Sequence, residues 1–212
     1  MSRIFRNRED AGVQLAARLS RYTRDPNVIV LGLPRGGVPV AYQVARKLEV
    51  PLDVFVVRKL GVPGQKELAM GAIASGGVRV LNPEVVSELR IDDAEIARVA
   101  GQEEIELERQ DRAYRGGVPF PALAGRIVIV IDDGLATGST MRAAVKELRQ
   151  MHPSRIVVAV PVAAADTYRS LTGKADEVVS VCTPESFQAV SAWYRDFAQI
   201  TDEEVRALLA NS

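Results

Sequence analysis

The residues best equipped for chemistry stand together in the stretch Asp132-Asp133-Gly134-Leu135-Ala136-Thr137-Gly138-Ser139-Thr140. Adjacent carboxylates accept hydrogen bonds from hydroxyls or meet a cation, and the Thr-Gly-Ser-Thr turn offers amide and hydroxyl donors to an anion. Immediately before them, Ile127 to Ile131 form a short, uniformly β-branched run, which predicts a strand buried on both faces, as in a parallel sheet. After the turn, Met141, Ala144, Val145, Leu148 and Met151 recur at helical spacing. The acids therefore fall at a strand's carboxyl end, where open α/β sheets bind ligands, and the turn opens into a helix N-terminus suited to an anion. Two commoner phosphate motifs do not fit. A Walker loop needs four residues between its glycines and then a lysine, whereas three residues separate Gly134 from Gly138 and Ser139 stands in the lysine's place. The glycine pattern of a dinucleotide fingerprint is absent as well.

A second strand, turn and helix precedes the first. Val28 to Leu31 read as a buried strand, Gly32-Leu-Pro-Arg-Gly-Gly37 as a tight turn, and Ala41, Val44, Ala45 and Leu48 as the following helix. Gly36 and Gly37 let the backbone approach an anion closely, and Arg35 brings a planar charge that bonds phosphate bidentately. Leu52 to Val57 predict a further strand ending at Arg58-Lys59, and from Gly61 to Gly77 the composition turns to glycine, proline and small residues around Lys66, Glu67 and Met70. That segment reads as a loop beside the site or as a hairpin with strands Met70 to Ala74 and Val78 to Leu81.

The stretch from Val128 to Thr140 resembles the phosphoribosyl pyrophosphate (PRPP) motif of the type I phosphoribosyltransferases. The resemblance implies an α/β fold with a Rossmann-like open, mostly parallel sheet flanked by helices, in one domain over residues 1–212. A flexible flap would occupy about 59–81, a helical insertion about 83–115 and a small C-terminal hood about 183–200. By position, Asp132 and Asp133 would hold the ribose hydroxyls, and Ala136, Thr137, Gly138, Ser139 and Thr140 the 5′-phosphate. Pro34, Arg35, Gly36, Gly37, Arg58 and Lys59 would hold the pyrophosphate. Catalysis would rest on Asp132, Asp133, Arg35 and Lys59. The implied activity is that of a pentosyltransferase of nucleotide salvage, with Mg2+ as cofactor, PRPP and a nitrogenous base as substrates, pyrophosphate as product, and a homodimer as assembly. No direct protein ligand to the metal is identified; Asp132 and Asp133 would reach it through water or the ribose. Ala136 stands where hypoxanthine-guanine enzymes carry an aspartate, which disfavours a 6-oxopurine. The alternative classes are a PRPP- or nucleotide-sensing regulator on the same fold and a partner domain acting with another enzyme.

Composition bounds these readings. In 212 residues, 47% hydrophobic residues suffice for a core, and 27 basic against 27 acidic residues leave no net field toward nucleic acid or an anionic membrane. The first ten residues carry arginines at 3, 6 and 8 with no apolar segment behind them, so they do not read as a signal peptide. The longest apolar run, Ile156 to Ala165, is interrupted by Pro161 and too short for a bilayer. With Cys182 the only cysteine, expected as a small buried residue, the reading is cytoplasmic. His152, beside Pro153, reads as a charge at a helix end rather than a general base or metal ligand.

Elsewhere, Gly12, Leu15, Ala16 and Leu19 predict a first helix, and Asn82-Pro83 another helix start. A charged helix from Asp92-Asp93 toward Tyr114 is expected to be solvated and without chemistry. Arg155 to Val160 and Glu177 to Val181 read as strands around a helix from Ala164 to Leu171. The tail collects Phe187, Trp193, Tyr194 and Phe197 before a capping box at Thr201 to Glu204.

Overall fold

The computed structural model describes residues 5–212, with only the backbone for Lys66 and Glu67; the basic residue Arg3 lies outside the described residues. In chain order come α1 (Arg8–Arg18), β1 (Val28–Gly32), α2 (Gly37–Leu48), β2 (Leu52–Val54), β3 (Val57–Val62), β4 (Gln65–Ala74) and β5 (Val78–Leu81). They are followed by α3 (Pro83–Glu88), α4 (Asp93–Arg115), β6 (Ile127–Ile131), α5 (Ser139–Gln150), β7 (Arg155–Val162), α6 (Ala165–Leu171), β8 (Glu177–Cys182) and α7 (Asp202–Ala210). Among the described residues, five strands form a parallel sheet in the order β2-β1-β6-β7-β8, and three form an antiparallel sheet in the order β3-β4-β5.

Both faces of the parallel sheet are covered. Val28, Val30, Ile129, Ile131, Val157 and Ala159 pack against Leu15 and Leu19 of α1 and Val40, Val44 and Leu48 of α2. The alternate residues Ile29, Leu31, Val128, Val130, Val158 and Val160 pack against Met141, Ala144, Val145 and Leu148 of α5. This two-sided burial is why the strand sequences show no polar alternation. Helix ends follow local rules. Asn7 and Asp92 accept from the N–H groups of Asp10 and Glu95, and Thr201 with Glu204 forms the capping box that starts α7. Among the described residues no helix is long and apolar enough to cross a membrane.

Three expectations are corrected. The apolar run Leu52 to Val57 is not one strand, because the chain leaves the parallel sheet after β2. The Phe55 N–H donates to Gly32 O at 3.0 Å, while Val56 turns to Ser75, its N–H donating to Ser75 Oγ at 2.9 Å and its O accepting from the Ser75 N–H at 3.0 Å, just before β3 begins. Arg58 and Lys59 consequently lie inside β3, opposite Ile73 and Ala72, rather than at a strand's carboxyl end. Hydrophobicity is continuous across the switch and carries no record of which partner each residue takes. Of the two readings of Gly61 to Gly77 the plain loop gives way to the hairpin, since the segment falls on β3 and β4 and the strands expected at Met70 to Ala74 and Val78 to Leu81 pair as β4 and β5. Cys182, expected to be buried, is half-buried at the end of β8.

The antiparallel sheet leans on α5 and on α4, where Leu60, Val62, Met70 and Ile73 meet Ile96, Ala100, Leu107 and Tyr114. Within this packing Glu147 of α5 is fully buried, and neither carboxylate oxygen has a hydrogen-bond partner among the described residues. Burial pushes its pKa up to about 7, above the ordinary glutamate range. The folded chain thus holds this proton more tightly than the unfolded chain, so the contribution is fully present below the unfolded value and is lost as pH rises toward 7. Glu147→Gln is expected to be more stable than the parent by roughly 2–3 kcal/mol at about pH 8, with the gap closing by about pH 4. Urea midpoints measured across that range check it, and an unchanged midpoint at the alkaline end contradicts it.

Candidate active site

Strand order places the site. The chain steps from β1 outward to β2, then returns through β6 on the other side of β1, and open α/β sheets bind ligands at such a switch point. Gly32 pairs with Ile131, and the Leu33 N–H donates to Ile131 O at 2.8 Å, so the turns after β1 and β6 leave the sheet side by side. Contact between them is close. A Cβ added at Gly36 would lie 2.1 Å from Asp133 Oδ2, and one at Gly37 would lie 2.6 Å from Ile131 O and 2.9 Å from Asp132 Cα. The peptide between Pro34 and Arg35 is cis. Gly138 takes φ 69° and faces Thr167, 2.5 Å from where a Cβ would sit, so a side chain is excluded twice over.

The two acids are half-buried and differently engaged. Asp132 Oδ1 accepts from the Asp133 N–H at 2.8 Å. Asp133 Oδ2 accepts from Arg8 Nε and lies 2.9 Å from both Arg8 Nε and Nη2 in an ion pair whose side chains are 10% and 15% exposed. Among the described residues Asp132 Oδ2 and Asp133 Oδ1 keep no hydrogen-bond partner. Burial raises both acids above the ordinary carboxylate range; for Asp132 the neighbouring Asp133 adds to it, and for Asp133 burial outweighs the opposing pull of Arg8. Nothing in the sequence singles out Arg8, which reads there as one basic residue near the N-terminus. Its Nη1 donates to Ala198 O at 2.8 Å and its guanidinium lies 3.9 Å from the centre of the Phe197 ring.

The aromatic tail serves the same web. The Tyr194 hydroxyl donates to Asp133 O at 2.5 Å, its ring packs on Phe5 and Phe197, and burial raises its pKa above the ordinary tyrosine value. Tyr194 and Phe197 thus hold the acids' backbone and counterion, with Phe187 and Trp193 partly buried beside them.

In the turn after β6, Ala136, Thr137 and Thr140 are exposed and α5 begins at Ser139, leaving first-turn N–H groups without intrahelical acceptors. The turn is braced from behind, Thr167 Oγ1 donating to Ala136 O at 2.5 Å and Arg142 Nη1 to Thr137 O at 2.8 Å. Lys59 reaches across from β3 and donates from Nζ to Ser139 Oγ at 2.8 Å. Pro34, Arg35, Arg58 and Thr140 line one cavity of about 500 Å3, whose remaining wall includes Arg109, Gln110, Tyr114 and Asp202. The charged helix, expected to be solvated, thus turns part of its last turns toward this cavity. Tyr114 donates to Asp202 Oδ1 at 2.8 Å, and burial together with this acceptor pushes its pKa up to about 12.

A parallel sheet with two anion-suited turns and paired acids at its switch point defines the architecture of the phosphoribosyltransferases. Residues 2–194 match the family described as Phosphoribosyl transferase domain, and the chain belongs to that family. It is 49% identical over 207 residues to proteins from two strains of Mycobacterium tuberculosis, CDC 1551 / Oshkosh and H37Rv, provisionally named phosphoribosyl transferases. These matches take in 98% of this chain and 46% of each relative, so the chain spans about half the length of the curated relatives it matches. The crystal structure of TT1426 from Thermus thermophilus superposes with a TM-score of 0.87 at 44% identity, covering 98% of both chains. The AQ2163 protein from Aquifex aeolicus shares the fold alone, with a TM-score of 0.50 at 13% identity over 85% of this chain and 76% of that one.

Removing Arg8 would leave Asp133 buried without its counterion. Arg8→Ala is expected to lose about 3 kcal/mol of stability near neutral pH, much of it recovered when Asp133→Asn is added. Chemical denaturation of the four members of that double-mutant cycle checks it, and strictly additive losses would show that the pair is not coupled.

Proposed function

We propose that the chain transfers the phosphoribosyl group of PRPP to a nitrogenous base and releases pyrophosphate. The observation that carries this reading is the union of two anion-suited turns and the Asp132-Asp133 pair at one sheet switch point, with Lys59 spanning to Ser139. The amides and hydroxyls of Ala136 to Thr140 hold the 5′-phosphate. Asp132 Oδ2 and Asp133 Oδ1, the acid oxygens without partners, accept from the ribose hydroxyls, while Arg8 fixes the second acid in place. Arg35, Gly36 and Gly37, with Arg58 and Lys59 from the antiparallel sheet, hold the pyrophosphate.

In this reaction the C1–O bond breaks with its electron pair leaving on pyrophosphate, and the base nitrogen forms the new C1–N bond. Its proton passes to solvent. Positive charge builds on the ribose beside the acids and negative charge on the leaving group beside the cations, so the chain's contribution is positioning and charge stabilisation. The antiparallel sheet of β3 to β5 supplies a lid that excludes water from the reacting carbon.

Mg2+ suits the donors present. The ion would be carried chiefly by substrate oxygens and water, and Asp132 and Asp133 would meet it through water or the ribose. When bound, it supplies charge neutralisation on the leaving pyrophosphate.

PRPP with Mg2+ is expected to raise the melting temperature, and Asp132→Asn to reduce that rise. A screen of free bases with PRPP and Mg2+, read by pyrophosphate release, tests transfer. Release with one base establishes the acceptor; a thermal shift with no release from any base would replace the enzyme with a PRPP-sensing regulator.

A further inference from the structure

Helix α4 carries a charge pattern that suits a solvated surface, yet its last turns face the ligand crevice. Arg109, Gln110 and Tyr114 share the cavity of about 500 Å3 with Arg35 of the turn after β1, Arg58 of β3 and Thr140 of the phosphate turn. Three arginines from three separate elements therefore border one space. None has its donors fully matched. Arg58 gives Nε to Glu103 at 2.6 Å, and Arg109 gives Nε and Nη2 to Glu106 at 2.8 and 2.6 Å. Arg35 has only a 4.0 Å ion pair to Asp202. Because a guanidinium carries five N–H donors, both terminal nitrogens of Arg58 and Nη1 of Arg109 remain without a hydrogen-bond acceptor among the described residues.

The acids that hold these arginines mostly stand outside the space they border. Glu103 and Glu106 do not line the cavity, whereas Asp202 does and is also bonded by the Tyr114 hydroxyl. Three guanidiniums gathered around one cavity offer a multivalent oxyanion more donors than their acid partners occupy. The required anion must offer several acceptors at once, since planar forks bind bidentately. In the reading above the 5′-phosphate sits at Ala136 to Thr140, so the group of PRPP left for the arginines is its diphosphate.

We infer that Arg109 completes, with Arg35 and Arg58, a three-arginine cradle for the pyrophosphate group, so that α4 touches the leaving group directly. The inference rests on the phosphoribosyl-transfer reading above. Asp202 is the acid that the incoming anion displaces from Arg35, and Tyr114 keeps it aligned afterwards. As the C1–O bond breaks, the cradle takes up the charge that develops on pyrophosphate.

Calorimetric titration of the full 212-residue chain with pyrophosphate, and separately with ribose 5-phosphate, tests it. Arg109→Ala should weaken pyrophosphate binding by about tenfold or more and leave ribose 5-phosphate unchanged. Arg109→Lys should recover only part of the loss, because it keeps the charge without the fork. Arg112→Ala, exposed on the same helix and outside the cavity, should bind both ligands as the parent does. The cradle is overturned if the parent binds pyrophosphate and Arg109→Ala binds it equally well. It is also overturned if Arg109→Ala loses both ligands together with melting temperature, which marks a folding role. A parent chain that takes neither ligand defeats the phosphoribosyl-transfer reading itself, and the cradle with it.

Discussion

The pairing of β1 with β6 is the constraint from which the site follows. Gly32 opposite Ile131 brings two strand ends level, so the Gly32 to Gly37 turn and the Asp132 to Thr140 turn emerge together although about a hundred residues separate them. The glycines then permit contact that any side chain would forbid, since Gly36 and Gly37 rest directly on Asp133 and Asp132. Shifting that register by one residue would turn the strands' side chains over and separate the turns at the same time.

Placing two carboxylates at a strand end inside an apolar sheet is electrostatically unfavourable, and the surrounding chain answers it. Arg8 brings a counterion from α1, Phe197 stacks beneath that guanidinium, and Tyr194 bonds the Asp133 carbonyl. These contacts join the N-terminal helix and the C-terminal tail to the middle of the chain. The acids still sit above their ordinary range, so a cation or a developing positive charge nearby finds groups whose ionisation it favours. The antiparallel sheet answers a different need. It carries Arg58 and Lys59 from outside the parallel sheet to the edge of the crevice.

Much of this was legible in the residues. β6, α5, β1 and α2 stand where apolar runs and helical spacing put them, because burial on both faces leaves a direct trace in composition. The Asp-Asp pair and the Thr-Gly-Ser-Thr turn are visible because short-range chemistry needs those groups next to one another. The break within Leu52 to Val57 was invisible, since residues passing between two sheets stay equally apolar. Arg109, Tyr114 and Asp202 were also invisible. On a charged helix and at a helix start, their local pattern is that of solvated residues.

By itself, then, the sequence determined the alternation of strands and helices, the acid pair, and the anion-suited turns, all of which depend on neighbours within one turn or one strand. Only the tertiary structure decided that Arg8 neutralises Asp133, that Lys59 meets Ser139, and that α4 closes the cavity around Arg35 and Arg58. The reason is physical. Such contacts join elements distant in the chain, and the strand order and helix packing that bring them together leave no periodic mark on any one segment.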